Sequence, residues 1–222
     1  MPPPELRPGR YLAATPAGAY LATQQPDDEP ARRLLLALLA AESTPLLTPP
    51  ALAAWCGLDD EAAGELFARL TKMALVESFA SPRAPLPGAL EKLLPGLLAD
   101  VSGSGRALLA DSQGFYLATA GFPHEAAEEL SALSADLASL HDRHARLLRN
   151  NLALASSSWA LVDAAGNSRI GFWPLFVGRQ RFTLVIAGLP RLNHPAFVEL
   201  VAALARRYAT VSEAIPLGRR QA

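Results

Sequence analysis

The sequence predicts an α+β protein built in two blocks. From Leu86 to Tyr208 a short helix, two strands, a long helix, three strands and a closing helix follow one another. Asp and Gly mark the turns between strands, and the long helix repeats leucine at alternating spacings of three and four. A mainly helical block precedes this run. Between them lies Ser81-Pro-Arg-Ala-Pro-Leu-Pro-Gly88, which suits neither a helix interior nor a central strand. The expected units are residues 1–81 and 86–222.

The chain has 222 residues, 50% hydrophobic and 18% charged, which is the composition of a folded protein with length for one large or two small cores. A formal net charge of -1 gives no global field for nucleic acid or an anionic membrane. The start, Met1-Pro-Pro-Pro-Glu-Leu-Arg-Pro, lacks the apolar stretch of a signal peptide. The longest apolar run, Leu34 to Ala41, falls short of the roughly 18 residues of a membrane span. A cytoplasmic protein without a membrane span is expected. Cys56 is the only cysteine, which excludes disulfide frameworks and cysteine zinc sites, and between Trp55 and Gly57 it reads as core.

In the first block, Arg10-Tyr-Leu-Ala and Ala19-Tyr-Leu-Ala around Thr15-Pro-Ala-Gly18 read as a small hairpin or a tethered arm. Helices are predicted over Pro30 to Glu42, Pro49 to Cys56 with Thr48 as N-cap, and Asp59 to Met73 opening on acids. Ala74 to Ala80 reads as a strand. Thr48-Pro-Pro-Ala-Leu-Ala-Ala-Trp-Cys-Gly57-Leu58, followed by Leu66, Leu70 and Leu75-Val76, resembles the helix-turn-helix core of winged-helix domains, with Gly in the turn and a strand opening the wing. That resemblance implies DNA reading by Arg69 and Lys72. Chemistry opposes it: the helix that would enter the groove also carries Asp59, Asp60, Glu61 and Glu65, and phosphate contact depends on Lys and Arg. Nucleic acid is therefore not the expected partner, and a dimeric winged-helix transcription regulator is the second reading.

In the second block, Leu90, Leu93, Leu94, Leu97 and Leu98 share one helical face, with Pro95-Gly96 predicting a bend or break. Ser102-Gly-Ser-Gly105 reads as a flexible turn, since it lacks the spacing of a nucleophile elbow and the lysine of a phosphate loop. Arg106 to Asp111 and Phe115 to Thr119 form a hairpin through Asp111-Ser-Gln-Gly114. A long helix runs from Pro123 to about Asn151, with Glu125, Glu128 and Glu129 at its positive end and Arg143, Arg146 and Arg149 at its negative end. Leu130, Leu133, Leu137, Leu140, His144 and Leu147 form a narrow seam of coiled-coil spacing, and Ala126, Ala127, Ala138 and Leu148 widen it for packing on a sheet. Such a helix has two neighbours, its own sheet and a second copy of itself. Ser158 to Asp163, Arg169 to Phe176 and Arg181 to Ala187 are strands, Pro174 requires an edge or bulge, and Pro195 to Tyr208 closes the block with Asn193 as cap.

This order, with Arg106 to Thr119, the acidic helix start at Glu125 to Leu133 and Phe182-Thr-Leu-Val-Ile-Ala187, resembles the roadblock/dynein light chain family over about 120 residues. It departs from the family in its Trp-rich fourth strand, in Pro95-Gly96 and in the prefixed block. The resemblance implies a five-stranded antiparallel sheet between helices and a homodimer in which long helices pair and third strands join the sheets. It also implies a non-enzymatic scaffold or regulator of a small GTPase. No arginine finger carries over onto Arg179 or Arg181.

No catalytic constellation and no cofactor signature stands out. His141, Asp142 and His144 are the nearest approach to a metal cluster, but no further ligands are aimed at them. His144 instead reads as a polar register residue within the helix pair, opposing pairing when protonated if buried there. Trp159, Phe172, Trp173 and Phe176 read as core or interface, with Trp159 as the leading dimer contact.

Overall fold

The computed structural model describes residues 9–154 and 156–209. The first block contains β1 (Tyr11–Ala14), α1 (Pro16–Thr23), α2 (Pro30–Ala40), α3 (Pro49–Cys56), α4 (Asp60–Lys72) and β2 (Val76–Phe79). The second contains α5 (Leu90–Asp100), β3 (Ala107–Asp111), β4 (Tyr116–Ala120), α6 (His124–Arg146), β5 (Trp159–Val162), β6 (Ser168–Val177), β7 (Gln180–Ala187) and α7 (Pro195–Tyr208). A π-helical turn, Leu147–Asn151, continues α6, so the long helix ends as far along the chain as its periodicity predicts.

The segment expected as a hairpin or arm at the start is instead a strand and a helix. Tyr11–Ala14 pairs antiparallel with β2, and Pro16 opens α1 at a position where a missing N–H costs nothing. Thr15 joins the two: its hydroxyl oxygen accepts from the Gly18 amide at 3.1 Å and donates to the Ala74 carbonyl at 2.7 Å. α3 and α4 are capped by Thr48 and Asp59, and Gly57 turns between them in the left-handed conformation at φ 66°. The strand after this helix pair does not return as a hairpin. β2 takes β1, at the far end of the block, as its partner, and the chain then enters the Pro-rich joint.

The main sheet is fully antiparallel in the order β4-β3-β7-β6-β5. Leu109, Leu184, Ile186 and Leu175 point to one face, where α5 and α7 cover them, while Leu108, Ala110, Val185 and Phe172 point to the other, toward α6. Its hairpins are set locally. Asp111 Oδ1 accepts from the amides of Gln113 and Phe115, and Gly114 closes the β3–β4 turn at φ 89°.

Three local expectations are corrected, and one at Pro174 holds. α5 runs unbroken through Pro95: that residue and Gly96 are exposed, so the backbone partner lost to proline faces water. Ser102-Gly-Ser-Gly105 is pinned rather than flexible, because Ser102 and Ser104 hydroxyls both donate to the Ala187 carbonyl, at 3.0 and 2.8 Å, and Ser102 Oγ accepts from the Arg106 amide. The α7 cap is His194, whose Nδ1 accepts from the Ala196 amide, and not Asn193. Pro174 sits at a local edge as its missing N–H requires, because β5 ends its ladder at Phe172 and only β7 remains beside Pro174.

The two blocks share one core. Buried leucines of α2 (Leu34, Leu35) and of α7 (Leu200, Leu204) belong to a single continuous apolar cluster. Across it Arg32 donates from Nε to the Ala22 carbonyl at 2.9 Å and from Nη2 to the Phe176 carbonyl at 3.0 Å, tying α1, α2 and β6 together.

Candidate interaction surface

α6 meets the sheet through small side chains. Ala127, Ser131, Ser134 and Ala138 are buried at spacings of four, three and four, which let the helix approach closely. The serines need no distant partner: Ser131 Oγ donates to the Ala127 carbonyl at 2.6 Å and Ser134 Oγ to the Ser131 carbonyl at 2.7 Å. The sheet-facing stripe therefore differs from the one predicted. Of the residues expected there, Ala127 and Ala138 are buried, whereas Ala126 and Leu148 are only partly so.

The leucine seam looks away from the sheet's centre. Leu130 and Leu137 are half-buried at its edge, while Leu133, Leu140 and Leu147 are 40%, 36% and 47% exposed. His144 continues this seam and is exposed in the single chain. Such a row of leucines on solvent is apolar surface without a partner.

Beside this helix lies the open edge of the sheet. β5 hydrogen-bonds to β6 alone, and Leu161 and Val162 are 62% and 61% exposed. The opposite edge is different: β4 packs against α5, and none of its residues is exposed. Both are outer strands of the sheet, but β4 is at most partly exposed while β5 is a bare apolar strand, the arrangement that favours pairing with another strand. Trp159 opens β5, half-buried on the α6 side with its ring edge-on to His141 at 6.3 Å between centroids. Phe172 is buried beneath α6, whereas Trp173 points to the other face and lies over Gly171, where a Cβ would collide with its indole ring. The structure thus brings Trp159 and the α6 seam onto one face.

Asp142 accepts from Arg181 Nη1 at 3.0 Å, and among the described residues no three His, Cys, Asp or Glu side chains are placed to hold a metal ion. Arg69 and Lys72 are exposed at the end of α4, while Asp60 and Glu61 occupy its first turn. Cys56 is buried, and burial raises its thiol above the usual range against the opposing pull of Arg33. No helix among the described residues is long and apolar enough to cross a membrane. The Arg181–Asp142 pair, bridging residues 39 positions apart, had no signal in the sequence.

The second block is an α+β unit of order α-ββ-α-βββ-α whose five strands order as second, first, fifth, fourth, third, with the long helix alone on one face, which is consistent with a roadblock-like fold. Among solved structures the gliding protein MglB from Thermus thermophilus is similar, at 21% identity and a TM-score of 0.37, over 55% of this chain and 95% of that one. The fold assignment rests on the strand order and not on that score. No protein-family profile matches the chain, and no curated protein matches it either.

Proposed function

We propose that this protein is a non-enzymatic homodimeric adaptor that regulates or tethers a small GTPase or a related signalling complex in the cytoplasm. The observation that supports it is the contiguity of two unpartnered apolar features, the α6 leucine seam and the β5 edge. A second copy related by a two-fold axis satisfies both at once, since strands join edge to edge while helices pair beside them. Each half-exposed leucine contributes about 1 kcal/mol when covered, so the seam needs the strand edge to hold a dimer against the cost of association. The partner class rests on the sequence resemblance.

The experiment is affinity capture from native cytosol on the full chain, with and without a non-hydrolysable GTP analogue. Recovery of a GTPase that depends on nucleotide is the expected result. Recovery of none under either condition contradicts the GTPase reading, and leaves the dimer to be tested separately.

A further inference from the structure

A groove runs between the first block and the outer half of the sheet, on the side where α6 lies. Its larger part, about 290 Å³, has Pro174 and Phe176 for a floor and the last turns of α6, with Ala145, as a wall. A smaller part of about 140 Å³ adjoins it across Gln24, Gln25, Ser157 and Pro174 and ends among Tyr20, Ser156 and Ser158. Neither block forms this groove alone. The α1–α2 connection supplies one wall, and Arg32 fixes its distance from β6 through the Phe176 carbonyl.

The chemistry changes along its length. At the α6 end stand Arg149 and Arg181. Asp142 is the acid lining this part, and it spends its charge on Arg181. Arg149 has no ion-pair partner among the described residues. The middle is apolar, with Pro174 and Phe176, and the far end is lined by hydroxyl and amide side chains. Clefts of this size with an apolar floor and a few converging polar groups are where proteins hold small molecules.

We propose that this groove binds a small organic anion. Its carboxylate, phosphate or sulfonate would meet Arg149 beside the Arg181–Asp142 pair, its flat body would lie on Phe176 and Pro174, and its other end would hydrogen-bond among the serines. The occupant joins residues of both blocks, so binding strengthens the contact between them. This inference is independent of the dimer, because Leu133 and Leu161 do not line the groove.

The test uses the full chain and two fluorescent probes of one shape, 8-anilinonaphthalene-1-sulfonate and its uncharged counterpart N-phenyl-1-naphthylamine. The sulfonate is expected to bind at one site per chain about tenfold more tightly than the neutral probe, the worth of one charge-assisted hydrogen bond. Arg149→Ala, at an exposed position that leaves the fold intact, should erase that difference. Ala145→Trp should fill the groove and abolish binding of both, while Leu140→Glu on the seam should change neither. Equal affinity for the two probes, insensitivity to Arg149→Ala, loss of binding in Leu140→Glu alone, or no binding at all would each overturn the proposal.

Discussion

Single residues decide how the two blocks meet. Arg32 is half-buried, and desolvation lowers its pKa from the ordinary guanidinium range while Asp28 and Asp27 raise it, so it stays a cation that carries two backbone carbonyls. Arg32→Met keeps the stem and removes those bonds, and should cost about 1.5–3 kcal/mol in chemical denaturation. Asp163 shows the same logic at a turn. Backbone amides, that of Asn167 first and then that of Ala165, hold its carboxylate below the ordinary value of 3.8. A depressed carboxylate stabilises above its unfolded pKa and loses that contribution as pH falls through the folded value. The stability difference between wild type and Asp163→Ala should therefore be full at pH 7 and close on acidification below about pH 4, which thermal melts across pH would show. The two roles differ in how far the sequence shows them. Asp163 sits four residues from Asn167 beside an obvious Gly turn, but Arg32 acts on a carbonyl 144 positions away.

At the scale of elements, periodicity locates most helices and strands, and the turn at Asp111 to Gly114 follows from residue chemistry alone. Its failures have physical causes. β1 escapes a local reading because its partner β2 lies far along the chain, and α1 because Thr15-Pro16, an N-cap followed by a first-turn proline, also has the composition of a turn. The leucine seam of α6 is plain in the sequence, but hydrophobicity alone does not say which apolar stripe faces the sheet. Small residues that allow close approach take that face. This yields a pair of opposite expectations. Ser134→Leu enlarges a buried contact and should lower stability by about 1–3 kcal/mol without altering self-association. Leu140→Glu should leave the melt of the single chain within about 0.5 kcal/mol of wild type, as an exposed substitution, while disrupting the dimer. Thermal melts of dilute samples alongside size measurements separate the two.

For the whole molecule, the Pro-rich joint marks a boundary in sequence while the core runs across it. α2 and α7 bury leucines against each other, and the residues from 82 to 88 are almost all exposed, with Thr44 gripping the Arg83 backbone from both sides. A shared core of this kind unfolds as one unit. Denaturant titration followed by Trp fluorescence, which reports Trp55 in the first block and Trp159 and Trp173 in the second, should coincide with the far-UV signal in one transition. Two separated transitions would mean that the blocks fold independently. With an acidic first turn on α4, the full chain should show no duplex-DNA binding that strengthens as salt is lowered, as a titration at two ionic strengths would read.

Sedimentation velocity reads whether the α6 seam and the β5 edge join two copies. Wild type at micromolar concentration should sediment as a dimer. Leu140→Glu, which places a carboxylate in the buried pair, should cost about 3 kcal/mol and shift dissociation roughly a hundredfold toward monomer. A wild-type monomer at every concentration up to about 100 μM, a Kd beyond which binding is worth less than about 5 kcal/mol, would contradict the dimer.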